Sequence, residues 1–101
     1  MHDCGIAAGD TWLSTELPKI MNSQAYKSGG AIFLTWDEGE GSDGPIGMIV
    51  ASPFAKGGGY QNSIHYTHSS LLRTLQEIFS VGPFLGDAAN ATDLKDLFKT
   101  F

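Results

Sequence analysis

Apolar residues in this chain fall into two unbroken runs and two helical stripes. The first run is Ala31-Ile-Phe-Leu-Thr-Trp36, bounded by Gly29-Gly30 before it and Gly39 after it. Its β-branched and aromatic content favours extended backbone, and an apolar run without alternation predicts a strand buried on both faces. The second run, Ile46 to Ser52, is closed by Pro53 and predicts a second strand of the same kind. Too few residues lie between Glu38 and Ile46 for a helical crossover, so the two strands, as neighbours, are expected to be antiparallel. Leu13, Leu17, Ile20 and Met21 repeat at helical spacing, with Asp10 as the expected N-cap and residues 1–9 as a loop. Pro18 predicts a kink there, or two short helices. A second stripe, Leu71, Leu72, Leu75, Ile78 and Phe79, predicts a helix capped by Thr67 or Ser69, with an Arg73–Glu77 pair on its surface. Between them, residues 55–59 read as a flexible loop and residues 60–66 as irregular and polar. Residues 87–101 are helix-compatible, with Leu94, Leu97 and Phe98 as a docking patch.

Two strands buried on both faces need neighbours that two strands cannot give each other, and an isolated pair is marginal. The pattern therefore predicts a small part of a larger sheet, completed by more of the same protein or by a partner chain at an open edge. The chain has 101 residues, of which 42% are hydrophobic and 17% charged, enough for one modest core. A formal net charge of −5 with no basic stripe excludes nucleic acid as a natural partner. No apolar run is long enough to cross a bilayer, and no signal-peptide pattern is present. A single cysteine, Cys4, leaves no internal disulfide and does not fix the redox compartment.

The chemistry concentrates where the first run ends. Asp37 and Glu38 follow Trp36 directly and precede Gly39-Glu40-Gly41. The C-terminal end of a strand is where α/β proteins place their ligands, and glycines let the backbone approach a bound group. A hard cation needs several rigidly held oxygen ligands, for which Asp37, Glu38, Glu40 and Asp43 are available. Adjacent carboxylates at a strand exit also occur as plain solvated residues, and local sequence alone leaves both readings open.

Several separated motifs, taken in order, change that balance. They are His2-Asp3-Cys4 with Gly9-Asp-Thr-Trp-Leu13, Ala31 to Gly41, Ile49-Val-Ala-Ser-Pro53 with Ala55-Lys-Gly57, Tyr66-Thr-His68-Ser-Ser-Leu-Leu-Arg-Thr74, and Asp96-Leu-Phe98. Together they resemble the C-terminal part of the phosphoesterase family within the alkaline phosphatase superfamily. That family includes acid phosphatases, phosphatidylinositol-3-phosphatase-like enzymes and phospholipases C. The resemblance implies an α/β fold: the C-terminal part of an alkaline-phosphatase-like mixed-sheet sandwich, with few strands and flanking helices. It makes residues 1–101 a portion of a longer phosphoesterase domain whose nucleophile lies in the N-terminal half.

What the resemblance implies for the site is residue-specific. Asp37 and Glu38 match the acidic pair at the metal site, Asp37 being the firmer ligand. The implied cofactor is a divalent metal ion. Oxygen ligands favour Ca²⁺ or Mg²⁺, and a nearby histidine also suits Zn²⁺. His2 matches a histidine facing the phosphate or metal, as a catalytic or substrate-binding group, with Asp3 beside it to orient the ring. His68 matches a family position that either contacts the phosphate or serves the helix start structurally. Asp10 also matches a family position, though its expected capping role suffices, and His65 has no match. The residues after the acidic pair, Glu40-Gly41-Ser42-Asp43, lack the aromatic segment of the phospholipase C branch and favour the acid phosphatase branch. The implied substrate is a phosphate ester, and the implied compartment of the parent protein is secreted or periplasmic. The alternative from another class is a non-catalytic remnant module that binds a metal or a partner chain.

Overall fold

The computed structural model describes residues 3–39, 41 and 44–101. The chain divides into two compact units, Met1–Pro53 and Phe54–Phe101. Among the described residues the architecture is α/β, with three α-helices and a two-stranded sheet.

The first unit opens with α1, Ile6–Met21. It starts one turn before the expected cap. Gly5 takes the extended N-cap conformation, and Ala7 and Ala8 are strong helix formers, so Asp10 falls inside the helix. Pro18 does not split it: a single α-helix runs through to Met21. Proline removes only its own N–H, and the last turn is closed by Asn22 N–H donating to Pro18 O at 2.9 Å. The short helix α2, Gln24–Lys27, has Ser23 as N-cap, whose hydroxyl accepts from Tyr26 N–H. Gly29, at φ 104°, then turns the chain into the sheet.

Strands β1, Ile32–Thr35, and β2, Met48–Ala51, pair antiparallel, with Ile32 opposite Ala51 and Thr35 opposite Met48. The expected pairing is therefore observed, and the expected burial is not. All four β1 residues are half-buried, and Ile49 on β2 is 55% exposed. Each strand has one neighbour among the described residues, so an apolar run suited to two covered faces keeps partial access to solvent.

The second unit is built on α3, His68–Ile78. Thr67 is its N-cap, and Ser70 Oγ accepts from Thr67 N–H at 3.0 Å. The expected Arg73–Glu77 pair forms at 3.0 Å. The helix then packs in an unexpected sense. Its polar face is the buried one, with Ser70, Thr74 and Gln76 all within the interior. Leu72, Leu75, Ile78 and Phe79 stay exposed, Phe79 at 72%. The reason lies in residues 81–98: they form turns that include the 3₁₀ segments Gly86–Ala89 and Lys95–Leu97, and the α-helix that the composition allows over residues 87–101 does not form. Such a segment presents unpaired backbone groups, and these need polar partners. Gln76 supplies three: Nε2 donates to Val81 O and Pro83 O, and Oε1 accepts from Leu85 N–H. Arg73 Nη1 donates to Ala89 O and Ala91 O. Thr74 Oγ1 accepts from the backbone N–H of Leu94 at 2.9 Å and donates to Ser70 O. Leu94 and Ala88 are fully buried and Phe98 nearly so, which makes the Leu94–Phe98 patch the apolar core of this unit.

Candidate functional site

The acidic pair sits where the sequence places it, at the exit of β1. Asp37 and Glu38 are both exposed. Their backbone is braced on each side. Thr35 Oγ1 donates to Gly47 O at 2.9 Å, tying the last residue of β1 to the approach to β2. The Trp36 indole lies against Gly47 so closely that a Cβ there would stand 2.5 Å from the ring. A Cβ on Gly39 would stand 2.8 Å from Gly44 O. Close approach of backbone therefore requires glycine at 39, while a side chain at 47 would have to displace the Trp36 ring, and the carboxylates stand on a turn pinched at these two points.

In kind, these donors fit a hard cation. Two carboxylates offer up to four oxygens, and a Ca²⁺ or Mg²⁺ shell takes about six or more. Among the described residues, no three His, Cys, Asp or Glu side chains are grouped to hold a metal ion. Glu40 and Asp43, the nearby acidic residues in the sequence, lie outside the described residues, as does His2. Asp37 and Glu38 would thus supply part of a coordination shell.

His68 belongs to the second unit. It is exposed and is the first residue of α3. His65 is exposed on the preceding segment, and Cys4 is an exposed free thiol. Asp10, inside α1, has no capping role.

Sequence reading missed a polar hub in the second unit. Asp96 Oδ1 accepts from Lys56 Nζ at 3.0 Å. Its Oδ2 accepts from Tyr60 Oη at 2.6 Å and from Asn62 Nδ2 at 2.7 Å. The same Asn62 amide donates to Tyr66 Oη at 3.2 Å, and the Lys56 ammonium stands 4.2 Å from the centre of the Tyr60 ring. Backbone pairing backs the hub, through Lys56 N–H to Leu97 O and Lys99 N–H to Phe54 O. The Tyr60 hydroxyl, then Lys56 and Asn62, hold the Asp96 carboxyl down at about 2. Asp96 raises the Lys56 ammonium in return. The segment that includes Gly57, Gly58 and Gly59, all at positive φ, is tethered on both sides of its glycines, at Lys56 and at Tyr60. Asp96-Leu-Phe98 and Ala55-Lys-Gly57 are both visible motifs. Nothing local pairs them, since Lys56 and Asp96 are 40 residues apart.

Comparison with known proteins bears on both units. A family model described as the phosphoesterase family matches residues 1–82. A curated relative, the phosphatidylinositol-3-phosphatase of Mycobacterium tuberculosis (strain ATCC 25618 / H37Rv), is 33% identical over 99 residues. That match takes in 97% of this chain and 32% of the relative, so the chain spans about a third of the relative's length. No solved structure gives a significant match.

Proposed function

The chain belongs to the phosphoesterase family, and on that premise we propose that it supplies part of the active site of a metal-dependent phosphoric ester hydrolase of the acid phosphatase type. The observation that carries the reading is the acidic pair. Asp37 and Glu38 leave β1 side by side on a braced turn, inside the span matched by the family. Asp37 and Glu38 are the cation ligands, with Asp37 the firmer. A divalent cation held there would neutralise phosphoryl oxygens and lower the pKa of an attacking hydroxyl. The role of His2 follows from the family resemblance alone: to donate to a phosphoryl oxygen or to protonate the leaving group. His68, in the second unit, is read by itself, as a residue that either contacts a phosphate or serves the start of α3 structurally. The nucleophile comes from sequence outside these residues, which is the reading of a chain about a third as long as its relative. The substrate class is a phosphate monoester, in keeping with the relative's name, and the working compartment is secreted or periplasmic.

Turnover of p-nitrophenyl phosphate from acidic to neutral pH, with and without Mg²⁺, Ca²⁺ or Zn²⁺, tests the assignment. We expect background rates from the 101 residues alone. Robust turnover that Asp37→Ala abolishes would mean that the nucleophile lies within this chain.

The two-stranded sheet favours a second reading, in which the chain is a non-catalytic module. Each strand has one neighbour among the described residues, and the free edges would take a strand from a partner chain.

A further inference from the structure

We propose that residues 57–66 form a strap clasped by the Asp96 carboxylate, and that this strap opens by itself while α3 and the turns packed on it stay folded. Residues 60–67 have no regular secondary structure, and none of residues 56–67 is buried, so apolar packing does little to hold them. The two ends are fixed within the second unit. Before the strap, Ala55 bridges to Phe98, both buried, and Lys56 N–H donates to Leu97 O. After it, Thr67 N–H donates to Ser70 Oγ at the start of α3. Between those ends, Tyr60 and Asn62 reach out of the strap, and both donate to Asp96 Oδ2, at 2.6 and 2.7 Å. Lys56, just before the strap, takes Oδ1. The strap's other bonds are internal: Tyr60 N–H to Gly57 O, Ile64 N–H to Asn62 Oδ1 and Asn62 Nδ2 to Tyr66 Oη. One carboxylate with three donors is a charge-assisted network, and such networks order a segment where isolated surface pairs contribute little. Asp96 lies beyond the residues matched by the family model, so a residue outside that span orders a segment inside it.

The packing of α3 uses a separate set of bonds. Gln76 holds Val81, Pro83 and Leu85, Arg73 holds Ala89 and Ala91, and Thr74 holds Leu94. None of these passes through residues 57–66. Opening the clasp therefore takes no partner from the α3 network. Segments with few buried apolar groups and exposed backbone bonds are the ones that open locally.

Thermolysin cleavage of the full chain under native conditions tests the proposal, because it tracks the population of the open form. The enzyme cuts before large apolar residues, and Ser63–Ile64 is such a bond within the strap. In Asp96→Asn, whichever oxygen becomes the amide nitrogen, one donor of the hub loses its acceptor. Cleavage at Ser63–Ile64, located by mass spectrometry, is expected to run about tenfold faster in that variant, the equivalent of one lost charge-assisted hydrogen bond. Tyr60→Phe removes one donor, keeps the ring beside Lys56, and is expected to speed cleavage by a smaller factor. A local opening exposes little surface, so the cleavage rate is expected to change little with urea below the unfolding transition. The Val81 and Leu85 amides, bonded to Gln76, are expected to keep their NMR shifts in both variants. Cleavage at the unaltered rate in both variants, or in Tyr60→Phe and any folded Asp96→Asn, would overturn the clasp. A rate that climbs with urea as steeply as global unfolding would overturn the separate opening. So would loss of the Val81 and Leu85 shifts, or an Asp96→Asn chain that does not fold, since the hub would then hold the whole unit.

Discussion

Leu94→Ala is expected to destabilise the second unit by about 2–5 kcal/mol, the range for a buried leucine whose cavity does not collapse. Leu94 is fully buried, as are Ala88, Ser70 and Thr74 to within a percent, while most of the larger apolar residues of α3 are exposed. This unit has few apolar groups in its interior, so losing one large side chain removes much of its packing. The substitution leaves the backbone N–H in place, so the hydrogen bond to Thr74 Oγ1 survives and the loss measures burial alone. Urea unfolding followed by circular dichroism reads it. A loss below about 1 kcal/mol would place the core of this unit somewhere other than the Leu94–Phe98 patch.

Gly30→Ala is expected to cost the first unit about 1–3 kcal/mol, the range for overpacking a tight site. An added Cβ would stand 2.8 Å from Ala25 O and 2.9 Å from the Tyr26 Cα, both backbone atoms of the α2 turn that have no rotamer to yield. The Gly30 N–H also donates to the Ala25 and Tyr26 carbonyls, closing that turn just before β1. Relief must come from moving α2 or the start of β1, and β1 carries Asp37 and Glu38. Thermal unfolding checks the prediction. A melting temperature unchanged within about 2 °C would show that the α2–β1 junction has room that the geometry denies.

The two strands and the acidic pair were legible because their signals are local: an unbroken apolar run between glycines, then carboxylates. The antiparallel pairing followed from a connection too short for a crossover. Helix starts were less legible. Asp10 has the chemistry of a cap, yet Gly5 with Ala7 and Ala8 starts α1 a turn earlier. The face of α3 was misread for a physical reason. An apolar stripe ordinarily marks the packed side, but residues 81–98 form turns whose backbone groups need partners, and the polar stripe supplies them. The stripe of Leu72, Leu75, Ile78 and Phe79 stays exposed, and β1 is half-buried. The Asp96 hub was illegible because every bond to it spans more than 30 residues.

Calorimetric titration with Mg²⁺, Ca²⁺ and Zn²⁺ tests the central claim, that the exit of β1 is a cation site. The account predicts binding heat from the unaltered chain, at an affinity of about 0.1–1 mM for an incomplete oxygen shell. It predicts loss of that heat in Asp37→Asn, with unfolding midpoints matching to show that the fold is retained. Equal heats from the unaltered chain and Asp37→Asn, or none from either with all three cations, would contradict it.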